Sequence, residues 1–453
     1  MTWRAAALLL AGGVTLPLWP SPFAGLLVMA GAVLLLAALD RALAVPPGAL
    51  TAVREGDRAV RLGDSATVAL LLHNPTGRTL RARVRDAWVP SAGARPDVPP
   101  SRLVRIEPGG TVSLTTRLTP LRRGDRPATT LTVRSVGPLG LAFRQRSGRP
   151  ATPPWTLRVL PRFDSRRHLP EKLSRLRVID GTQVTRGRGQ GTEFDALREY
   201  VVGDDVRSID WRASARRADV LVRTWRPERD RRLVCVLDTG RTSAVRVGDE
   251  PRLDTAIDAA LLLTALAARA GDRVDLLAAD TAVRASVTSR QLQLGASAAA
   301  PRPGAGAGRP GLLARLAHAL APLQPSLVET DFDLIAAELL RRRQHRSLVV
   351  LFTALEAGAL GEGLLPVLPR LAARHTVVVA ASHDPVLAAL TTATPEHPRD
   401  AYAAAAAWRA LAERDRVRAA LARHGVTVVD APAGHLAPAV ADTYLRLKSQ
   451  GRL

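Results

Sequence analysis

A chain of 453 residues is too long for one ordinary domain, so two or three are expected. Its apolar share of 47% is ample for packed cores, and its single cysteine, Cys235, excludes an internal disulfide. The net charge is +23, and only Lys172 and Lys448 are lysines, so the basic character is carried by arginine and favours anionic surfaces such as nucleic acid or a membrane leaflet.

Taken in chain order, Ala5–Trp19 is uncharged and mostly apolar. Trp19-Pro20-Ser21-Pro22 breaks that run, and Phe23–Leu39 is a second uncharged run. Each is short against the roughly 20 residues a spanning helix needs. Together they read as a two-helix membrane anchor over residues 1–44, touching lipid through residues 5–39. Trp3 and Trp19 stand where interfacial aromatics are expected. A cleaved signal peptide fits less well, because no small-residue cleavage site precedes the second run. Arg4 precedes the first run and Arg41 follows the second, with no charge in the turn. The positive-inside rule therefore predicts an inner or plasma membrane protein with residues 45–453 in the cytoplasm.

Residues 52–160 change character. Ala59–Leu62, Ser65–Leu72, Leu80–Trp88, Leu103–Ile106, Thr111–Leu118, Thr129–Ser135 and Thr156–Leu160 are short runs, most of them rich in Val, Leu and Thr. Clusters such as Asn74-Pro75-Thr76-Gly77 and Pro108-Gly109-Gly110 punctuate them. This spacing predicts an all-β sandwich.

From residue 232 the chain alternates strand and helix. The expected strands are Leu233–Leu237, Arg273–Ala278, Ser347–Phe352, Thr376–Ala381 and Val426–Val429. The expected helices are Pro251–Ala270, Asp331–Arg343, Leu364–Arg374, Asp400–Arg423 and Ala437–Lys448. Continuous apolar strands between helices imply a mostly parallel sheet covered on both faces. The low-complexity stretch Ala296–Gly311 reads as a flexible surface loop.

Between these regions, residues 161–231 form a segment expected to pack on the α/β core. It holds Glu199, Tyr200, Gly203, Asp204, Arg207, Ile209, Asp210, Trp211, Ser214, Ala215 and Arg216. That series resembles the pattern E-Y-x-x-G-D-x-x-R-x-I-D-W-x-x-S-A-R of the membrane-anchored proteins carrying domain of unknown function 58. Pro120-Leu121-Arg122-Arg123-Gly124 and Gly137-Pro138-Leu139-Gly140-Leu141 are similar to the same family's P-L-x-R-G and D-P-F-G-L signatures, with Gly137 where the family usually has Asp. The resemblance implies an α/β domain like the von Willebrand factor type A (vWA) fold. It also implies company with a MoxR-type AAA+ ATPase. The Asp/Arg-rich run either locks the segment to the core or docks a partner. Glu199, Tyr200, Gly203, Asp204, Arg207, Asp210, Trp211, Ser214 and Arg216 are the candidate partner-binding residues.

The vWA resemblance also implies a metal-ion-dependent adhesion site of pattern D-x-S-x-S after the first strand, where hydroxyls and carboxylates hold Mg²⁺. The matching run is Asp238-Thr239-Gly240-Arg241-Thr242, which keeps Asp238 and Thr242 and lacks a side-chain oxygen at Gly240. Where the family commonly reads T-D-L, this chain has Thr353-Ala354-Leu355; Glu356 and Thr330 are the remaining candidates. Two departures in one site weigh against Mg²⁺, so a degenerate site and no cofactor are expected.

Catalytic patterns are absent: there is no H-E-x-x-H, no G-x-S-x-G and no zinc-type Cys pair. His383-Asp384-Pro385 reads as a polar turn after a strand. Arg186-Gly187-Arg188-Gly189-Gln190-Gly191 lacks the strand and lysine of a nucleotide loop, and scarce aromatics (4%) argue against specific nucleic-acid binding. The expectation is a non-enzymatic, membrane-anchored adaptor working through protein–protein contacts. Its competitors are a metal-dependent ligand-binding module and a basic lipid- or nucleic-acid-binding protein.

Overall fold

The computed structural model describes residues 2–94, 101–148, 152–184, 193–201, 205–217, 219–226, 231–288, 311–342 and 346–453. Gly203 and Asp204, the Arg186–Gly191 run and nearly all of the stretch expected to be a flexible loop lie outside them. The chain divides into two compact units, Met1–Arg162 and Phe163–Leu453.

The first unit opens with helix α1 (Trp3–Gly13) and helix α2 (Pro22–Leu43), joined by a 3₁₀ turn at Leu16–Leu18. Pro22 suits the first turn of α2, where its missing N–H costs no helix bond, and Ser21 accepts a hydrogen bond from Ala24 N. At 22 residues α2 rises about 33 Å. It is the one helix among the described residues long and apolar enough to cross a membrane. Helix α1, at 11 residues, is too short to cross alone.

A β-rich region follows. Strands β1 (Thr51–Gly56), β3 (Ala66–His73) and β6 (Thr111–Leu118) form an antiparallel sheet in the order β1-β3-β6. A second sheet has the order β2-β9-β7-β4-β5, from β2 (Ala59–Arg61), β9 (Thr156–Leu160), β7 (Gly124–Val136), β4 (Leu80–Trp88) and β5 (Arg102–Ile106). Strand β8 (Phe143–Ser147) pairs with β7. Alternation sets which side chains go inward: in β4, Leu80, Ala82 and Val84 are buried while the arginines between them are exposed. Those three share an apolar cluster with Leu70 and Leu72 of β3 and Leu131 and Val133 of β7.

The second unit starts with helix α3 (Leu169–Val184) and continues into a two-stranded antiparallel sheet of β10 (Glu193–Glu199) and β11 (Leu221–Arg226), with the short helix α4 (Trp211–Arg217) between them. The larger sheet has the order β16-β15-β12-β17-β18-β19. Its strands are β12 (Arg232–Asp238), β15 (Arg273–Ala279), β16 (Val283–Val287), β17 (Leu348–Phe352), β18 (Thr376–His383) and β19 (Thr427–Pro432). All neighbours run parallel except β15 and β16. Strands β13 (Arg246–Val247) and β14 (Glu250–Pro251) pair with each other as a separate hairpin. Successive residues of β12 face opposite layers. Leu233, Cys235 and Leu237 pack in a cluster with Leu253 and Ile257 of α5 (Arg252–Arg269) and Val440 of the helix Leu436–Ser449. Val234 and Val236 pack in another with Ile335 of the helix Phe332–Arg342 and Leu368 of the helix Leu365–Ala372. Cys235 is fully buried, and that burial pushes its thiol up to about 12, so it serves as packing.

Candidate functional site

In a parallel sheet every strand delivers its last residue to the same edge, and ligand sites of open α/β sheets lie there. Strand β12 ends on Asp238 and β15 is followed by Asp280, both buried. The segment 326–331 is drawn over this edge by backbone hydrogen bonds: Ser326 N to Thr239 O (2.7 Å), Arg241 N to Val328 O (2.8 Å) and Asp331 N to Asp280 O (3.2 Å).

Those bonds place Thr330 on Asp238. Its Oγ1 donates to Asp238 Oδ1 at 2.5 Å, and Gly240 N donates to the same oxygen at 2.8 Å. Thr353, after β17, donates to Asp238 Oδ2 at 2.6 Å, and Thr242 to that oxygen at 3.3 Å. Three hydroxyls and one amide therefore surround one carboxylate. Gly240 is required by space: a Cβ there would land on Thr330 Oγ1.

A guanidinium packs beside this arrangement. Arg252, buried at the start of α5, donates to Thr242 O at 2.5 Å and to Glu356 Oε1 at 3.1 Å. Burial pulls its pKa down, while Glu356 and the Asp238 charge work against that. Glu356 thus faces Arg252 rather than completing an acidic set. Arg241 pairs with Glu329 (2.5 Å) and both side chains are exposed. The donor set is poor in negative charge for a divalent cation: the three hydroxyls share the single carboxylate of Asp238, Glu356 is held by Arg252, and among the described residues no group of three or more His, Cys, Asp or Glu could hold a metal.

The neighbouring carboxylate is settled differently. Asp280 accepts Arg284 Nε at 2.7 Å, Thr239 Oγ1 at 3.1 Å and Ala282 N at 3.1 Å. Burial pushes this carboxyl up, but the Arg284, Ser326, Ala282 and Thr239 hydrogen bonds outweigh it and hold its pKa at about 2.

A third group lies at the ends of β18 and β19. His383 Nδ1 is 3.0 Å from Asp430 Oδ1, and Arg414 grips the same carboxylate through Nη2 (2.6 Å) and Nε (3.1 Å). Burial pushes the Asp430 carboxyl up, and the His383 and Arg414 bonds more than offset it, leaving it below the ordinary range. Asp384 caps the next helix, accepting Val386 N at 2.9 Å. The polar turn is thus present, but the pairing of His383 with Asp430 joins residues 47 apart and has no local signal.

The candidate partner-binding residues fall into two groups. Asp210 and Ser214 hold the local frame. Asp210 Oδ1 accepts Arg212 N (3.1 Å) and Ala213 N (3.0 Å), which caps α4. Ser214 Oγ donates to Asp210 O (2.7 Å) and accepts Leu221 N (2.8 Å), which ties α4 to β11. Tyr200 N bonds Val220 O at 2.8 Å, and Glu199 pairs opposite Leu221. Asp205, another acidic residue of the Asp/Arg-rich run, caps the turn Val206–Ser208 through Arg207 N at 3.0 Å. Gly203 and Asp204 lie outside the described residues, and Arg207, Trp211 and Arg216 face solvent. Trp211 is 67% exposed, and Val206 (62%), Val201 (61%), Val220 (44%) and Leu197 (40%) are exposed in the same segment.

A model of the family described as "Protein of unknown function DUF58" matches residues 196–427, which holds both the Trp211 segment and the Asp238 edge. No curated protein matches. Among solved structures, E. coli alpha-2-macroglobulin in its native conformation is 20% identical over 25% of this chain and 7% of its own length, with a TM-score of 0.20. A FixG-related protein from Vibrio parahaemolyticus is 14% identical over 22% of this chain and 94% of its own, with a TM-score of 0.15. At those scores neither fixes a fold.

Proposed function

We propose that this chain, which belongs to the DUF58 family, is a non-enzymatic membrane-anchored adaptor that docks a protein partner on the segment around Trp211. One observation carries this reading: the family's most specific residues build a small, internally hydrogen-bonded frame that presents Trp211, Val206 and Val201 to solvent. A lone exposed apolar residue is ordinary, whereas a cluster containing Trp is characteristic of interfaces. The α1–α2 pair acts as the membrane anchor, the β-rich region is a sandwich-type spacer, and the α/β region is a vWA-like platform. The partner is a MoxR-type AAA+ ATPase, as the family resemblance implies; hydrolysis belongs to the partner, and the bulk of the chain is cytoplasmic.

The sheet edge supports a non-catalytic role. Asp238 divides its acceptor capacity among three threonine hydroxyls and a backbone amide, rather than serving one hydroxyl as a dedicated base. Among the described residues His383 has no serine or threonine hydrogen-bonded to its ring. The competing metal-dependent reading is separated by calorimetric titration with Mg²⁺ and Mn²⁺: no binding below millimolar is expected, and a micromolar site would favour that reading instead.

The adaptor reading is tested by crosslinking the full-length protein in its native membrane, with ATP and with a non-hydrolysable analogue, followed by capture and mass spectrometry. Recovery of an AAA+ ATPase that disappears with Trp211→Ala supports it. Recovery that is indifferent to Trp211→Ala, or recovery of lipid or nucleic acid alone, removes it.

A further inference from the structure

The C-terminal end of α2 is built into the β-rich region by a buried carboxylate. Asp40, in the last turn, accepts Leu139 N (2.7 Å), Leu141 N (2.7 Å) and Ala142 N (2.8 Å). Gly137 is small because a Cβ there would meet the Asp40 carboxylate. Thr2, at the start of α1, donates Oγ1 to Gly140 O at 2.6 Å. Both helix ends are therefore fixed on the 137–142 loop, and Asp40 is withdrawn from solvent.

Around that junction lie four arginines. Arg4 stands over Gly140 and, among the described residues, has no hydrogen-bond or ion-pair partner. Among the described residues Arg41 donates only to Phe143 O (3.0 Å) and Arg146 only to Gly48 O (3.1 Å), both neutral acceptors. The Arg144 Nε is buried with no hydrogen-bond partner. The Asp40 carboxylate at the junction already holds three backbone amides. Trp3, beside Arg4, is 77% exposed.

We propose that this collar is a binding surface for the phosphate groups of anionic lipids. The inference rests on α2 being the membrane anchor. Its 22 residues cover about the thickness of a hydrocarbon core, which puts Asp40 and Arg41 at the headgroup level. Guanidiniums at that depth have long stems to lie along acyl chains and planar forks that match phosphate oxygens. Trp3 belongs at the same level, where amphipathic rings collect. Charge complementarity selects the ligand: four cations, none of them paired with a carboxylate among the described residues, face a leaflet that attracts each of them. The Asp40 clamp fixes the collar to the helix end, so the arginines meet headgroups as a set.

The test reconstitutes the full-length protein in nanodiscs mixing phosphatidylglycerol with phosphatidylcholine. Native mass spectrometry then counts the lipids retained after release. One variant carries Arg4→Gln, Arg41→Gln, Arg144→Gln and Arg146→Gln. A control carries the same charge loss on exposed residues of β4 and β6: Arg81→Gln, Arg83→Gln, Arg85→Gln and Arg117→Gln. Preferential retention of phosphatidylglycerol by the wild type and the control, falling roughly tenfold in the collar variant, is the expected result. Equal retention of both lipids, or equal loss in both variants, overturns the collar. Release by millimolar inorganic phosphate also overturns it, by reassigning the site to a free anion. Carbonate extraction of the wild type from membranes removes the anchor reading itself, and is thus told apart from a collar that fails in an inserted protein.

Discussion

The edge of the larger sheet and the segment around Trp211 lie within one family match but use their polar residues in opposite ways. At the sheet edge the polar atoms turn inward: Asp238 is 2% exposed and gathers three threonine hydroxyls from three separate loops. Around Trp211 they turn towards the backbone, where Asp205, Asp210 and Ser214 complete caps and a strand junction. The large apolar groups there are left outside. Residues that look like a ligand set in sequence are a closed hydrogen-bond cluster, whereas the run that looks like a charged surface is scaffolding for an apolar one. Acidic residues in a motif therefore need not mark its exposed surface; here Asp210 and Asp205 cap backbone while Trp211 and Val206 beside them are exposed.

The comparison is broken most severely by emptying the centre of the closed cluster. Asp238→Ala leaves the hydroxyls of Thr242, Thr330 and Thr353 without their acceptor in a buried setting. A loss of about 3 kcal/mol or more is expected. Thermal unfolding of the full-length protein should show the second unit's transition falling by roughly 6 °C or more. A shift of a degree or less would mean that the cluster is not closed and that water or an ion replaces the carboxylate.

Asp280 gives the next largest effect and carries a pH signature. Its pKa in the folded state, about 2, lies below the ordinary 3.8. Its stabilising contribution is therefore fully present above about pH 4 and is lost as pH falls towards about 2. Asp280→Asn is expected to cost about 2 kcal/mol at neutral pH, because Arg284 keeps only a neutral partner. In denaturant titrations at several pH values the gap between wild type and variant should narrow below about pH 4. A gap that is constant with pH would assign the loss to packing.

Gly240 sharpens the same cluster at smaller cost. Its φ of −73° is ordinary, so the constraint is space and not backbone conformation. Gly240→Ser restores the hydroxyl of the D-x-S-x-S pattern but drives its Cβ into Thr330 Oγ1. A loss of about 1–2 kcal/mol is expected from overpacking. Thr330→Ala in the same chain should recover part of it, and a double-mutant cycle reads the coupling. Strict additivity would show that the two residues do not compete for one space.

Much of the framework was legible because it depends on short-range pattern. The run 233–237 is apolar without a break because both faces of β12 are covered, and Leu253, Ile257 and Leu261 fall on one side of α5 at helical spacing. Strand β16 was not legible: Val-Arg-Ala-Ser-Val is short, half-buried and sits antiparallel at the sheet's edge. Nor were β1, and the helices Leu312–Leu320 and Pro385–Thr392, signalled by the runs. In the site, Asp238 and Thr242 stood in one recognisable pattern. Thr330 and Thr353 meet Asp238 across 92 and 115 residues, and only the order of parallel strands brings them together. Arg252 was invisible for the same reason: nothing near it in sequence shows that Glu356 is its partner.

The smallest expected effect on stability belongs to Trp211, and it separates the two regions most cleanly. Its side chain is 67% exposed, so removing it should alter stability by no more than about 0.5 kcal/mol. Asp210→Ala, one residue away, should cost about 1 kcal/mol through the lost cap of α4. An interface reverses that order, because a desolvated Trp at its centre commonly accounts for 2 kcal/mol or more of binding, about thirtyfold in affinity. The pair of substitutions thus carries opposite rankings for folding and for partner capture. Thermal melts and crosslinked capture on the same two proteins read both rankings. If Trp211→Ala destabilises the chain as much as Asp210→Ala does, Trp211 is packing, and the exposed face belongs to the fold rather than to a partner.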